Sequence, residues 1–191
     1  MKDSAAFSKT TSPRTRKLTL IGLMTALLCI LGPLTVPIPI SPVPISLTNF
    51  AIFLAVYLLE IKGGMICLLV YLCLGTVGLP VFSAFSGGLG KLAGPTGGYL
   101  IGFIFLALIQ GLMMKIFPGK NAAAIIGMIL GMAVCYFFGT VWLAFQLNTP
   151  FVSALSIGVL PYLPGDGVKI ILAAIAGPKL KSALRRLHLT A

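Results

Sequence analysis

Apolar runs, punctuated by proline and glycine, limit what this chain can fold into. Five are unbroken, at about residues 18–32, 45–61, 63–79, 97–117 and 122–147. A helix needs about 20 predominantly apolar residues to cross a bilayer. The remaining stretch, residues 150–180, reads as a short apolar piece, a Pro/Gly break at 161–167 and a final helix. Between the first two runs lies "PLTVPIPISPVP" (residues 33–44), with too many prolines for a regular helix. Between the third and fourth lies "PVFSAFSGGLGKLAGPT" (residues 80–96), rich in glycine and small side chains. Only 9% of the 191 residues are charged and 58% are hydrophobic, whereas a soluble domain carries about 25% charged residues. The chain therefore lacks the polar groups to cover a water-facing surface. The pattern predicts an all-α integral membrane protein, a six-helix transmembrane bundle with structured outer loops. The bundle would span residues 18–181, between a basic N-terminal segment (1–17) and a basic tail (182–191).

Charge placement tests the count of six. Six spans put both termini on one side together with the turns at residues 60–63 and 115–120. That side then holds twelve basic residues: Lys2, Lys9, Arg14, Arg16, Lys17, Lys62, Lys115, Lys120, Lys179, Lys181, Arg185 and Arg186. The other holds two, Lys91 and Lys169. By the positive-inside rule both termini are expected in the cytoplasm. The net charge of +11 reports this orientation rather than nucleic-acid binding, because no basic stripe is interleaved with aromatics. The first helix lacks a cleavage site of the A-x-A kind and reads as a retained span.

Several chemistries find no support. Cys29, Cys67, Cys73 and Cys135 lie inside apolar runs without a CxxC pair, and the one histidine, His188, is in the tail. Neither a metal site nor a disulfide framework is expected. A Walker pattern ending at Lys91 fails, with Phe85 in the first glycine position and Leu92 in place of Ser/Thr. No catalytic triad and no cofactor motif is present.

The polar residues that remain are therefore informative. The chain has three acidic side chains, Asp3, Glu60 and Asp166. Glu60 sits beside Lys62 at a turn and is expected to form an interfacial ion pair with it. Asp166 and Lys169 are three positions apart where the last helix begins, so they can pair with each other, and Asp166 suits the positive end of that helix. Ionisable residues at membrane depth are also a default sign of function. Lys91 is either a solvated loop lysine or part of the same outer site. The proline loop, the glycine loop and the 161–167 break fall on one face and can build a cup, since irregular backbone is tolerated where it lines a cavity. On the first helix, Gly22 and Ala26 form a small-xxx-small pair suited to close helix packing, inside the bundle or against a partner.

"GGLGKLAGPTGGYLIGF" (residues 87–103) and "YLPGDGVK" (residues 162–169) resemble the two signature stretches of the BioY family. The likeness continues through "PIPISPVPISLTNF" (residues 37–50) and covers nearly all the chain after about residue 17. It implies a biotin-binding S component of an energy-coupling factor (ECF) transporter, which works with a membrane T subunit and two cytoplasmic ABC-type ATPases. Asp166, Lys169, Lys91 and Gly94 would then face biotin, with Tyr162, Tyr99, Trp142, Tyr136 and Phe85 as walls and Gln146 and Asn148 as amide contacts. A carboxylate can accept a ureido N–H, and a lysine can meet the carbonyl or the acid end. The pair Gly22 and Ala26 would dock on the T subunit. The rivals are a self-sufficient secondary transporter, an S component for another vitamin, and a membrane enzyme using Asp166 as base.

Overall fold

The computed structural model describes residues 13–39 and 41–186. Asp3, Lys2, Lys9 and His188 lie outside the described residues, as do most of the 1–17 segment and the end of the tail. Helix α1 spans Pro13–Leu31 and is followed by β1 (Thr35–Ile38) and β2 (Ser41–Ser46). Helix α2 spans Thr48–Val77, α3 Leu89–Ala93, α4 Gly97–Ile116 and α5 Asn121–Leu147. The short α6 (Phe151–Gly158) leads into α7 (Leu163–Arg186), with a bend of 54° between them.

Element α2 is not one rod. Glu60 has φ 61° and ψ −177°, which breaks the helix and reverses the chain. A Cβ placed on Gly64 would lie 2.8 Å from the Val56 Cα, and Thr48 and Tyr71 line one small cavity. In a straight helix those pairs would stand about 12 Å and about 35 Å apart. The two arms, 48–59 and 61–77, are therefore antiparallel neighbours, matching the second and third runs of the sequence. Glu60 does not pair with Lys62 as expected; its carboxylate lies 3.9 Å from the Lys181 ammonium on α7. Residues two apart do not face each other, and the reversal presents Glu60 to the returning end of the last helix.

The first arm of α2 is the axis of the bundle. Every residue from Ala51 to Leu59 is buried, which explains why this stretch is apolar on all faces. Helices α4 and α7 contact it through Gln110 and Gly177, α1 packs against the returning arm through Ile21, and α5 packs along α4. The Gln110 amide of α4, fully buried, donates to the Phe53 carbonyl of that arm at 3.0 Å and links two helices where no water competes. Outward faces carry Leu23, Ile30, Ile126, Ile129, Phe137, Ile171 and Ile175, all at least half exposed and suited to lipid. Among the described residues, three helices are long and apolar enough to cross a membrane, or four with the bent α6–α7 pair as one span; α2 counts once in that tally despite its two arms.

The proline-rich stretch is extended, as its composition requires, but it adds a two-stranded antiparallel sheet to the otherwise helical fold. Both strands are edges, where prolines need not donate to a ladder. Thr35 pairs with Ser46 and Val36 with Ile45, and the register slips before Ile38 meets Ser41. Three boundaries differ from expectation. Helix α1 starts at Pro13, a favourable first helical position, so residues 13–17 extend the helix instead of forming a separate segment. Helix α7 continues to Arg186, past the expected limit at residue 181. The break expected at 161–167 is confined to residues 159–162, because Pro164 sits in the first turn of α7, where its missing N–H would have had no helical acceptor. Asp166 and Lys169 thus stand on regular helix.

Lys17, Glu60, Lys115 and Arg185 line one cleft, so α1's start, the α2 reversal, the α4 end and the α7 tail share one end of the bundle. The β-hairpin and the start of α7 lie at the other. The glycine contact between the α2 arms gives a test. Gly64→Ala places a methyl group against Val56 backbone and should cost about 1–3 kcal/mol by overpacking. Gly22→Ala, whose Cβ would meet nothing within 4 Å, should leave stability unchanged or slightly raised. Thermal unfolding of the two purified variants checks the contrast.

Candidate functional site

The start of α7 brings Asp166 and Lys169 inward, each only 7% exposed. Their side chains meet at 2.7 Å. The Asn49 amide, from the first turn of α2, also donates to Asp166 Oδ1 at 2.7 Å, and the Tyr136 hydroxyl of α5 donates to Oδ2. Lys169 Nζ donates in addition to the Ser46 carbonyl of β2 at 2.6 Å and to Asn49 Oδ1 at 3.2 Å. All three ammonium N–H groups are engaged. Asn49 Oδ1 also accepts the Phe50 N–H at 3.1 Å, which fixes the orientation of the amide. A buried ion pair is tolerable only when its remaining lone pairs and protons are satisfied. This network meets most of that demand and ties β2, α2, α5 and α7 together.

Two positions in it are incompletely used. Asp166 Oδ2 accepts one hydrogen bond where a carboxylate oxygen can take two. The second Asn49 N–H is directed at the Met132 thioether at 3.8 Å, a weak acceptor. An acceptor and a donor are thus available side by side.

The other sequence-predicted residues lie around this centre in different ways. Tyr162 is buried and donates its hydroxyl to the Val43 carbonyl, clamping the hairpin to the α6–α7 corner. Tyr99, also buried, donates to the Gly158 carbonyl at 2.9 Å and fixes α4 against α6. With Ser46, Thr48, Tyr71 and Thr96 it lines a cavity of ≈ 50 Å³ under the hairpin. Among the described residues, Thr96 Oγ1 is buried there without a hydrogen-bond partner. Trp142 donates its indole N–H to the Gly94 carbonyl at 2.9 Å, and Gln146 donates to the Ala93 carbonyl, so both anchor the glycine loop to α5. Asn148 is exposed and caps α5 in the left-handed conformation, with φ 49°. Lys91 is half-buried on α3 and stands outside the Asp166 network; burial lowers its ammonium from the usual lysine range. Phe85 is 67% exposed and does not form a wall in this arrangement. Gly22 and Ala26 lie on an exposed face of α1.

Asn49 and Ser46 escaped the sequence reading. Asn49 had a signal, since it is an amide at the mouth of a long apolar run, where an unpartnered polar group is expensive. Ser46 had none, because it contributes its backbone carbonyl.

With this geometry in place, comparison with known proteins is decisive. The BioY family profile matches residues 2–186. The chain belongs to the BioY family. A protein named biotin transporter BioY from Thermotoga maritima is 36% identical over 168 residues, covering 87% of this chain and 96% of that one. A second protein of that name, from Lactococcus lactis, is 36% identical over 178 residues, covering 90% and 94%. Among solved structures, the S-component for biotin from an ECF-type ABC transporter superposes with a TM-score of 0.83 at 35% identity, covering 88% of this chain and 92% of that one. The BioY-type architecture is thus shared along almost the whole length, as a multi-pass membrane protein.

The buried pair in this BioY-family chain makes a measurable demand. Asp166→Asn removes the counter-charge and leaves the Lys169 ammonium buried, so stability should fall by about 3–5 kcal/mol. The double variant Asp166→Asn/Lys169→Met replaces the pair by neutral groups and should recover a large part of that loss. A thermal double-mutant cycle reads the coupling, and additive losses would count against a coupled pair.

Proposed function

We propose that this chain is the biotin-binding S component of an ECF-type ABC importer in the bacterial plasma membrane, a transport subunit and not an enzyme. Its partners would be a membrane T subunit and two cytoplasmic ABC-type ATPases. The observation that carries the reading is the adjacent acceptor and donor at the buried pair. A cyclic urea presents an N–H beside a carbonyl, and Asp166 Oδ2 and the second Asn49 N–H match those two atoms. Lys169 can exchange one of its present acceptors for the ureido carbonyl. The cavity next to this point, ≈ 50 Å³, is far below the about 300–1,000 Å³ of typical small-ligand pockets. Biotin entry would therefore part the hairpin from α7, breaking the Ser46–Lys169 and Val43–Tyr162 contacts. Tyr99 and Thr96 would then flank the ligand, while Trp142, Gly94, Gln146 and Asn148 shape the loop above it. Lys91, on that loop, would meet the carboxylate end.

The orientation follows from charge. Basic residues gather at the end holding both ends of the described chain, supporting cytoplasmic termini and a biotin site that faces outward. Six crossings are counted by taking the two α2 arms separately and α6–α7 as one.

Isothermal titration of the full chain in detergent, without ATPases, should give one saturable biotin site. The folded Asp166→Asn/Lys169→Met variant lacks both charged contacts and should bind more weakly by at least the about 10- to 150-fold that one charged hydrogen bond contributes. Lys91→Ala should lose less. Strong heat with a different vitamin and none with biotin would redirect the assignment.

Docking on the T subunit is proposed for the α1 strip. Nothing lies within 4 Å of a Cβ on Gly22, and Ala26 one turn on is exposed, so the strip does not serve packing inside the bundle. Gly22→Leu with Ala26→Leu should leave biotin binding intact but abolish T-subunit co-purification and ATP-driven uptake. Retained uptake would exclude this face as the dock.

A further inference from the structure

A second concavity among the described residues lies away from the Asp166 network. It is a cleft of ≈ 720 Å³ at the opposite end of the bundle. Lys17, Lys62, Lys115, Lys120, Lys181 and Arg185 line it, arriving from α1, the α2 reversal, the α4–α5 turn and α7. Glu60 is the one carboxylate in its lining, and it already faces Lys181 at 3.9 Å. The positive-inside rule accounts for basic residues on one side of a membrane. It does not require residues from four separate elements to surround one concavity, where their mutual repulsion disfavours the empty cleft.

Two further features fit an anion. The N-terminus of α5 opens into the cleft at Lys120 and Asn121 with no side-chain cap and no acidic residue in its first turn. Asn121, the polar side chain best placed to cap it, instead accepts the Tyr57 hydroxyl at 2.6 Å. The helix therefore presents unsatisfied N–H groups and its positive end to the same space as the cations. The walls also carry apolar surface from Met114, Phe117 and Leu59. A phosphate would meet the charges, and a glycerol backbone would meet the apolar wall.

We propose that this cleft is a specific binding site for a phosphate-bearing anion, either the headgroup of an anionic phospholipid or free phosphate. It lies apart from the biotin site and does not depend on that assignment. The full chain is reconstituted in nanodiscs of phosphatidylcholine with a minor fraction of phosphatidylglycerol, then released for native mass spectrometry. The wild type should retain phosphatidylglycerol over phosphatidylcholine. The lining variant Lys62→Gln/Lys120→Gln/Arg185→Gln should lose that retention at least about ten-fold. A control with the same net charge, Arg14→Gln/Lys179→Gln/Arg186→Gln, removes exposed residues outside the cleft and should retain the lipid like the wild type. Matching unfolding midpoints for the two variants establish that both are folded. If no lipid is retained but inorganic phosphate raises the midpoint of the wild type and control and not of the lining variant, the site takes free phosphate. Equal loss in both variants, or no response to either probe, overturns the proposal.

Discussion

The hairpin end of this molecule depends on one buried ion pair. Asp166 and Lys169 are adjacent on one helix, yet their remaining bonds run to Asn49 on α2, Tyr136 on α5 and the Ser46 carbonyl on β2. In a medium that solvates neither charge, the pair persists only while those partners hold their places. The relation also runs the other way. The hairpin seats Val43 in the core with Ile38 and Ile45 packed against it, and the lysine and Tyr162 hold it there by hydrogen bonds to its main-chain carbonyls. A ligand that offers the pair new hydrogen bonds therefore acts directly on the segment that covers it.

Glycines at crossings and backbone-directed hydrogen bonds support that arrangement. At Gly98 a Cβ would come within 2.3 Å of Trp142, so α4 and α5 meet closely beside the loop that Trp142 and Gln146 anchor. Where side chains are small, backbones approach and dispersion contacts accumulate, which is how helices associate when lipid removes the hydrophobic drive between them. The polar residues of the outer loops mostly grip main-chain carbonyls. They fix loop position.

The two ends of the bundle are chemically opposed. One holds a charge-balanced ion-pair network beneath a hairpin. The other collects six cations around an open cleft with one carboxylate. Charge that is matched can be buried, whereas unmatched charge must stay near water or find a counter-ion. That difference distinguishes the site proposed for a small polar ring from the one proposed for an anion.

The class of the protein was legible from the chain alone, because apolar runs of helical length and scarce charge leave few alternatives to a membrane bundle. Prolines 37, 39, 42 and 44 marked the non-helical stretch, and the rarity of acidic residues singled out Asp166. Local pattern did not reveal the pairing of strands within that stretch, the reversal at Glu60 toward Lys181, or the regular helix under Pro164. Nor did it reveal the partners of the ion pair, since Asn49 and Asp166 are 117 positions apart. Hydrophobic periodicity reports which residues avoid water and over what length. Which faces then meet is decided by close packing between distant segments, and only that packing put an amide, a phenol and a main-chain carbonyl around one buried carboxylate and its lysine.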